Sequence, residues 1–283
     1  MTNKIHRWRV IPALLRWPNL VLIFLSLSYV TIHIHSSLIC SGSFIILTLS
    51  TVLITASGYI INDIYDYKTD LINKPEKLWI GTFISPKEAI LFYLILTILS
   101  LILLYFLPNP LIVGVQLFSI FSLWLYSYLL KKTIFWGNFL VSFLISTALI
   151  QPYILYQQPL GFDLLLYVSQ AFLINLMREI VKDREDLRGD KINKINTLAT
   201  ILPVKSLKRL FYSLLSFAFA LYLLGWYRSP YIWLNLYSLF LIIPVNMVLL
   251  SKIYKYNSKE DLSELSKWLK IYMLISIHWI LFF

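Results

Sequence analysis

Nine apolar stretches, each about as long as a bilayer is thick, leave this chain little choice of fold. Divided at charged or proline-rich breaks, they run over roughly 13–34, 43–66, 88–107, 110–130, 134–156, 161–183, 207–226, 230–251 and 265–283 of the 283 residues. A hydrocarbon core of about 30 Å takes about 20 residues of helix, and inside it every backbone N–H and C=O must be paired within the protein. The breaks have local causes. Pro108 and Pro110 interrupt one turn, Gln157, Gln158 and Pro159 another, and Arg228, Ser229 and Pro230 a third, because proline removes a donor and disfavours helix at the residue before it. The expected fold class is all-α, a polytopic membrane protein of about nine transmembrane helices. A single domain over 1–283 is expected, since no polar segment exceeds a few tens of residues. The first stretch lacks a small-residue cleavage site and is read as a span, not a removable signal.

Charge orients the bundle. Only 14% of the residues are charged, against about a quarter in soluble domains, yet Lys and Arg number 25 against 14 Asp and Glu, a formal charge of +11. With nine spans, 24 of the 25 basic residues fall on the N-terminal side and only Arg228 falls opposite. The positive-inside rule then places the N-terminus and the long polar loops in the cytoplasm and the C-terminus outside, in the inner membrane if the cell is bacterial. Such placement reads as topology, and no nucleic-acid partner is expected. The lone Cys40 forms no internal disulfide, and no Cys/His cluster suggests zinc or iron.

Six of the 14 acids form two groups of one spacing: Asp63, Asp66 and Asp70 after the second stretch, Asp183, Asp186 and Asp190 after the sixth. Residues at i, i+3 and i+7 share one face of an α-helix, so each group is expected to form an acidic stripe at a helix end. One such group is ordinary solvation of a helix terminus; solvation does not demand the same register twice. Facing each other in a bundle, the stripes would set six carboxylates around one cavity. Stacked carboxylates near hydrocarbon repel and lose hydration, so a cation must offset them. Mg²⁺ suits this best, because it takes oxygen ligands and rests on one or two carboxylates plus substrate phosphates. Arg16, Lys74, Lys77, Lys131, Lys132, Arg178 and Lys182 lie on the same side to neutralise the rest of a diphosphate. An apolar chamber with a metal-held diphosphate at its polar end suggests an isoprenyl diphosphate, whose allylic carbon–oxygen bond ionises toward an acceptor while water is kept out. The 46 aromatic residues are weaker evidence: Trp124 and Tyr128, for example, are expected to pack or anchor at the interface.

These residues resemble the UbiA superfamily of intramembrane prenyltransferases. Its signature N-D-x-x-D-x-x-x-D is matched by Asn62, Asp63, Asp66 and Asp70; D-x-x-x-D falls on Asp186 and Asp190, with Asp183 as a further acid and Thr197 and Leu198 continuing the block. Asn73 to Lys77 resembles the N-R-P-x-R segment, Arg16 and Asn19 the opening of the first family helix, and Tyr126-Ser127, Lys131-Lys132 and Gly137-Asn138 a third block. The resemblance implies nine helices around a central cavity and the six aspartates as catalytic Mg²⁺ ligands. It implies diphosphate contacts at Asn62, Lys77 and Lys131, joined by the loop cations Arg16 and Lys182, and substrate contacts at Asn19 and Tyr126. Two departures concern loop geometry: Lys194 stands where members commonly have glycine, and Leu78-Trp79-Ile80-Gly81 replaces P-x-x-S-G.

The run Arg178 to Asp183 resembles digeranylgeranylglyceryl phosphate synthases, which favours a prenylglycerol phosphate acceptor; an aromatic acceptor such as 4-hydroxybenzoate or dihydroxynaphthoate remains the alternative. The expected partners are an isoprenyl diphosphate, the acceptor and membrane lipids, with no obligate protein partner. Of the histidines, a base by type, His33, His35 and His278 fall near the outer side, and His6 does not. A transporter would carry Gly/Pro-broken half-helices, which the second and sixth stretches lack. A phosphatidyl-group transferase would carry D-G-x-x-A-R, which is absent. A structural scaffold explains neither the repeated register nor its confinement to one side.

Overall fold

The computed structural model of the chain describes residues 7–229 and 231–283. The first apolar stretch is divided in two. Helix α1 (Arg7–Leu14) ends just before Arg16, whose φ of 50° turns the chain, and α2 (Trp17–Ile34) starts afresh there. Pro18 suits the division, because a proline, which lacks an N–H, is best accommodated in a helix's first turn.

After a short 3₁₀ turn, α3 (Gly42–Asn73) runs for 32 residues, capped by the Ser41 hydroxyl accepting from the Phe44 N–H and stopped at Lys74, ahead of Pro75. At about 48 Å it is longer than the hydrocarbon core and longer than the stretch 43–66 predicts. Loss of hydrophobicity ends an apolar run but not a helix, so Asp63, Asp66 and Asp70 ride on its continuation. There follow α4 (Pro86–Leu104), opened by a Ser85/Glu88 capping box, α5 (Pro110–Tyr128), α6 (Trp136–Leu155) and α7 (Phe162–Glu185). The short α8 (Leu187–Ile192) and α9 (Leu198–Ile201) lead into α10 (Val204–Arg228). A π-helical segment, Ser238–Ile242, joins α11 (Ile232–Tyr237) and α12 (Ile243–Lys255) into one span, and α13 (Lys259–Ser276) finishes in 3₁₀ turns to Phe282. Among the described residues nine helices are long and apolar enough to cross a membrane, and the protein is a polytopic all-α membrane protein.

The two acid-bearing helices are the innermost. The apolar window of α7 is 72% buried and that of α3 61%, whereas the other spans range from 22% to 44%. Helix α7 packs on α6, α10 and α13, and α3 on α4 and α5. Met177, Ile180 and Val181 of α7 meet Leu207 and Phe211 of α10 and Leu265 and Leu269 of α13, while Ala56 and Ile60 of α3 meet Ala89 and Leu96 of α4. Outward-facing Ile98, Ile102, Phe121, Phe217 and Phe240 are exposed, as a lipid-facing surface requires. Buried polar side chains in this layer pair with one another: Gln116 donates to Thr51 and Gln151, Asn175 to Ser142, and Gln170 to Tyr272.

Candidate active site

Helices α3 and α7 bound a cavity of about 560 Å³, and all six aspartates of the two groups line its end beside the basic loops. Leu22, Leu144, Ile145 and Leu149 line it deeper in. On the α3 wall the expected stripe forms, and two of its acids are held by partners brought from elsewhere. Asp63 accepts from the Arg16 guanidinium at 2.5 Å, which lies 4.7 Å over the Tyr59 ring, and Asn19 donates to the Tyr59 hydroxyl at 3.1 Å. The left-handed turn at Arg16 is what aims this side chain back at α3. Asp66 accepts from Lys131 at 2.6 Å and from Asn62, one turn earlier on the same helix, at 2.7 Å. Lys131 reaches it because Gly137 has no side chain: a Cβ there would stand 2.8 Å from the Leu130 carbonyl oxygen and 2.9 Å from the Lys131 Cα.

The second wall departs from its expected form. Asp183 lies in the last turn of α7 and accepts from Asn138 at 2.8 Å, but Asp186 sits at φ −92° and ψ 6°, where α7 stops, and Asp190 is carried by α8. The three acids therefore do not form one continuous helical stripe. The cause is a junction with the end of α3. The Asn73 amide donates to the Asp186 carbonyl at 2.8 Å and accepts from the Gly189 N–H at 2.8 Å, so the chain must bend to α3 instead of extending α7. A Cβ at Gly189 would collide with that amide. Lys74, the next residue, donates to Asp186 at 2.6 Å. Burial alone would lower the Lys74 ammonium, but Asp186, with Asp70 and Glu185, outweighs it and holds its pKa above the usual value. Burial, then Asp186 and Asp66, push the Asp190 carboxyl up to about 7.

The donor chemistry fits a hard divalent ion. The Asp186 Oδ1, Glu185 Oε1 and Asn62 Oδ1 atoms are buried without a hydrogen-bond donor, which leaves three oxygens aligned for no protein partner. Among the described residues no three acidic, His or Cys side chains converge tightly enough to cage an ion alone. Mg²⁺ needs no such cage, since waters and phosphate oxygens complete its shell.

The remaining expected residues divide. Tyr126, Asn19 and Lys74 line the cavity, whereas Lys132 is exposed away from it. Lys182 lines it too, but its ammonium pairs with Glu179 at 2.8 Å and with none of the six aspartates. Lys77 closes a 3₁₀ turn, Pro75–Lys77, and its side chain lies outside the described atoms. Trp124 and Tyr128 stack on each other at 5.5 Å on the exposed face of α5. None of His33, His35 and His278 lines the cavity, and His6 lies outside the described residues. Lys194 takes φ 56°, the left-handed geometry glycine adopts without strain, so the backbone keeps its turn despite the side chain. Asn73 and Glu179 carry no assigned role in the sequence, although Asn73 opens a segment matched as a block.

Comparison with known proteins agrees with this architecture. Residues 8–275 match the model of the UbiA prenyltransferase family. Digeranylgeranylglyceryl phosphate synthase of Methanosphaera stadtmanae is 33% identical over 93% of this chain and 94% of its own, and that of Methanococcoides burtonii 34% identical over 80% and 79%. A solved structure from work on digeranylgeranylglyceryl phosphate synthase in membranes superposes with a TM-score of 0.67 at 25% identity, covering 97% of this chain and 99% of that one. A UbiA homologue from Archaeoglobus fulgidus bound to GPP and Mg²⁺ has the same fold, with a TM-score of 0.65 at 17% identity over 96% and 99% of the two chains.

Proposed function

The chain belongs to the UbiA prenyltransferase family, and from that membership we propose that it transfers a geranylgeranyl-type group from its diphosphate to the free hydroxyl of a prenylglycerol phosphate. The reaction takes place at the cytoplasmic side of the membrane and depends on Mg²⁺. The observation that carries this reading is the facing of two aspartate groups across one cavity that is apolar deeper in. The full-length likeness to digeranylgeranylglyceryl phosphate synthases supports the choice of acceptor.

The residues divide the work by depth. Asp63, Asp66 and Asp70 on one wall and Asp183, Asp186 and Asp190 on the other hold Mg²⁺, which supplies positive charge against the diphosphate oxygens. Lys131 and Lys74, each on an aspartate in this state, turn to the phosphates when the donor enters, with Asn62, Arg16 and Lys77 beside them. Leu144, Ile145 and Leu149 receive the isoprenyl chain, and Asn19 and Tyr126 flank the reacting end. The allylic carbon–oxygen bond breaks with its electron pair leaving on the diphosphate. The acceptor oxygen forms the new carbon–oxygen bond, and its proton departs with the diphosphate product.

The test is transfer of label from geranylgeranyl diphosphate in membranes with Mg²⁺, offered in parallel a prenylglycerol phosphate, 4-hydroxybenzoate and dihydroxynaphthoate. Label in the ether lipid, lost on removal of Mg²⁺, is expected. Label in an aromatic product alone would overturn the acceptor, and no transfer by folded protein from donors of any length would overturn the reaction.

A further inference from the structure

Three of the six aspartates are matched one for one by a cation: Arg16 with Asp63, Lys131 with Asp66, Lys74 with Asp186. Deeper along α7 the balance fails. Arg178 and Lys182 share one carboxylate, that of Glu179, at 3.3 and 2.8 Å, and Glu179 is only 6% exposed. Lys270 of α13 faces the same cavity and feels the charge of Arg178, and among the described residues it has no carboxylate within ion-pair distance. Two other acids stand near. Asp183, engaged by Asn138, and Glu185, one turn beyond Lys182, both feel the Lys182 charge, but neither forms an ion pair with any of the three among the described residues. The Arg178 Nε is buried and has no acceptor.

Three cations against one shared carboxylate, in a cavity within the bilayer, are costly unless an anion completes them. We propose that Arg178, Lys182 and Lys270 form a second anion site, separate from the diphosphate site, that takes the phosphate monoester of the acceptor lipid. The inference rests on the acceptor reading above and gives it a physical basis. A planar guanidinium and two ammonium groups suit a dianion with several free oxygens, whereas the carboxylate of an aromatic acceptor brings a single charge. The spacing also suits the reaction. Arg178 lies five residues before Asp183 on one helix, about 7.5 Å along the axis. A glycerol phosphate anchored at the cations thus presents its neighbouring hydroxyl toward the allylic carbon at the aspartates, and Glu179 acts as a positioning residue that holds two of the cations in place.

The experiment measures KM for both substrates in full-length wild type, Lys270→Gln and Lys270→Arg, with a prenylglycerol phosphate and its dephosphorylated counterpart as acceptors. Lys270→Gln is expected to raise KM for the phosphorylated acceptor about tenfold, leave KM for the donor unmoved and make no difference to the dephosphorylated acceptor; Lys270→Arg restores the wild-type value. Melting of each purified variant separates these effects from misfolding, and Lys182→Gln serves as the second variant, with the same selective rise expected. Wild-type transfer to the phosphorylated lipid with acceptor KM unmoved in both Gln variants would overturn the site alone. Wild-type transfer to 4-hydroxybenzoate alone would overturn the acceptor reading and the phosphate site together.

Discussion

The two walls of the cavity carry the same acid spacing and are built differently. On α3 the three aspartates ride a single uninterrupted helix, and Asp63 and Asp66 are steadied by side chains from Arg16, Asn62 and Lys131. On the α7 side the helix ends at Asp186, and backbone bonds to Asn73 decide where Asp186 and Asp190 stand. Helix propagation positions one group and a tertiary junction positions the other. The α3 wall should therefore tolerate loss of a neighbouring side chain better than the α7 wall tolerates loss of its junction.

The largest effect tests what the walls share. Asp66→Asn and Asp186→Asn are each expected to lower transfer by about two orders of magnitude or more while the protein still inserts and folds; near-normal turnover in either would sink the two-wall metal site. Next, Asn73→Ala leaves the Gly189 N–H without its acceptor and should cost about 1–3 kcal/mol of stability. It should also lower turnover more than Asn62→Ala, which removes one of two partners of Asp66. Equal losses in the two variants would erase the contrast between the walls. Lys131→Ala is expected to weaken donor binding by about tenfold in a titration with geranylgeranyl diphosphate and Mg²⁺, and an unchanged affinity would remove Lys131 from the diphosphate. Smallest is Lys194→Gly, which relieves a left-handed residue and should raise thermal stability by up to about 1 kcal/mol without altering KM; a fall in melting temperature would show that the Lys194 side chain makes compensating contacts.

Much of this was legible in residue order because hydrophobicity and charge act locally. The nine spans follow from segment length, and the acid groups from their spacing. The ends of the helices were less legible. Asp70 was expected beyond an apolar stretch that ends near 66, yet α3 runs on to Asn73, since nothing between Gly58 and Pro75 breaks a helix. The stretch from 13 splits at Arg16, whose left-handed backbone separates two helices, with Pro18 in the first turn of the second. Lys182 read as a phosphate contact by its side of the membrane, whereas its partner Glu179 lies one helical turn before it, and only the folded chain shows Lys270 approaching from a helix some ninety residues later.

The sequence alone determined that the chain crosses a membrane as helices, and that its acids gather in two groups at one end of them. Backbone groups in hydrocarbon must be paired internally, which apolar runs of about 20 residues achieve as helices, and the 3-plus-4 register is local geometry. The tertiary structure alone decided that α3 and α7 face one another across a cavity, that Asn73 bends the second acid group away from its helix, and that Lys270 joins Arg178 and Lys182. Each of these joins residues far apart in the chain, 113 positions for Asn73 and Asp186, and such contacts depend on how packed helices are arranged, which no local pattern encodes.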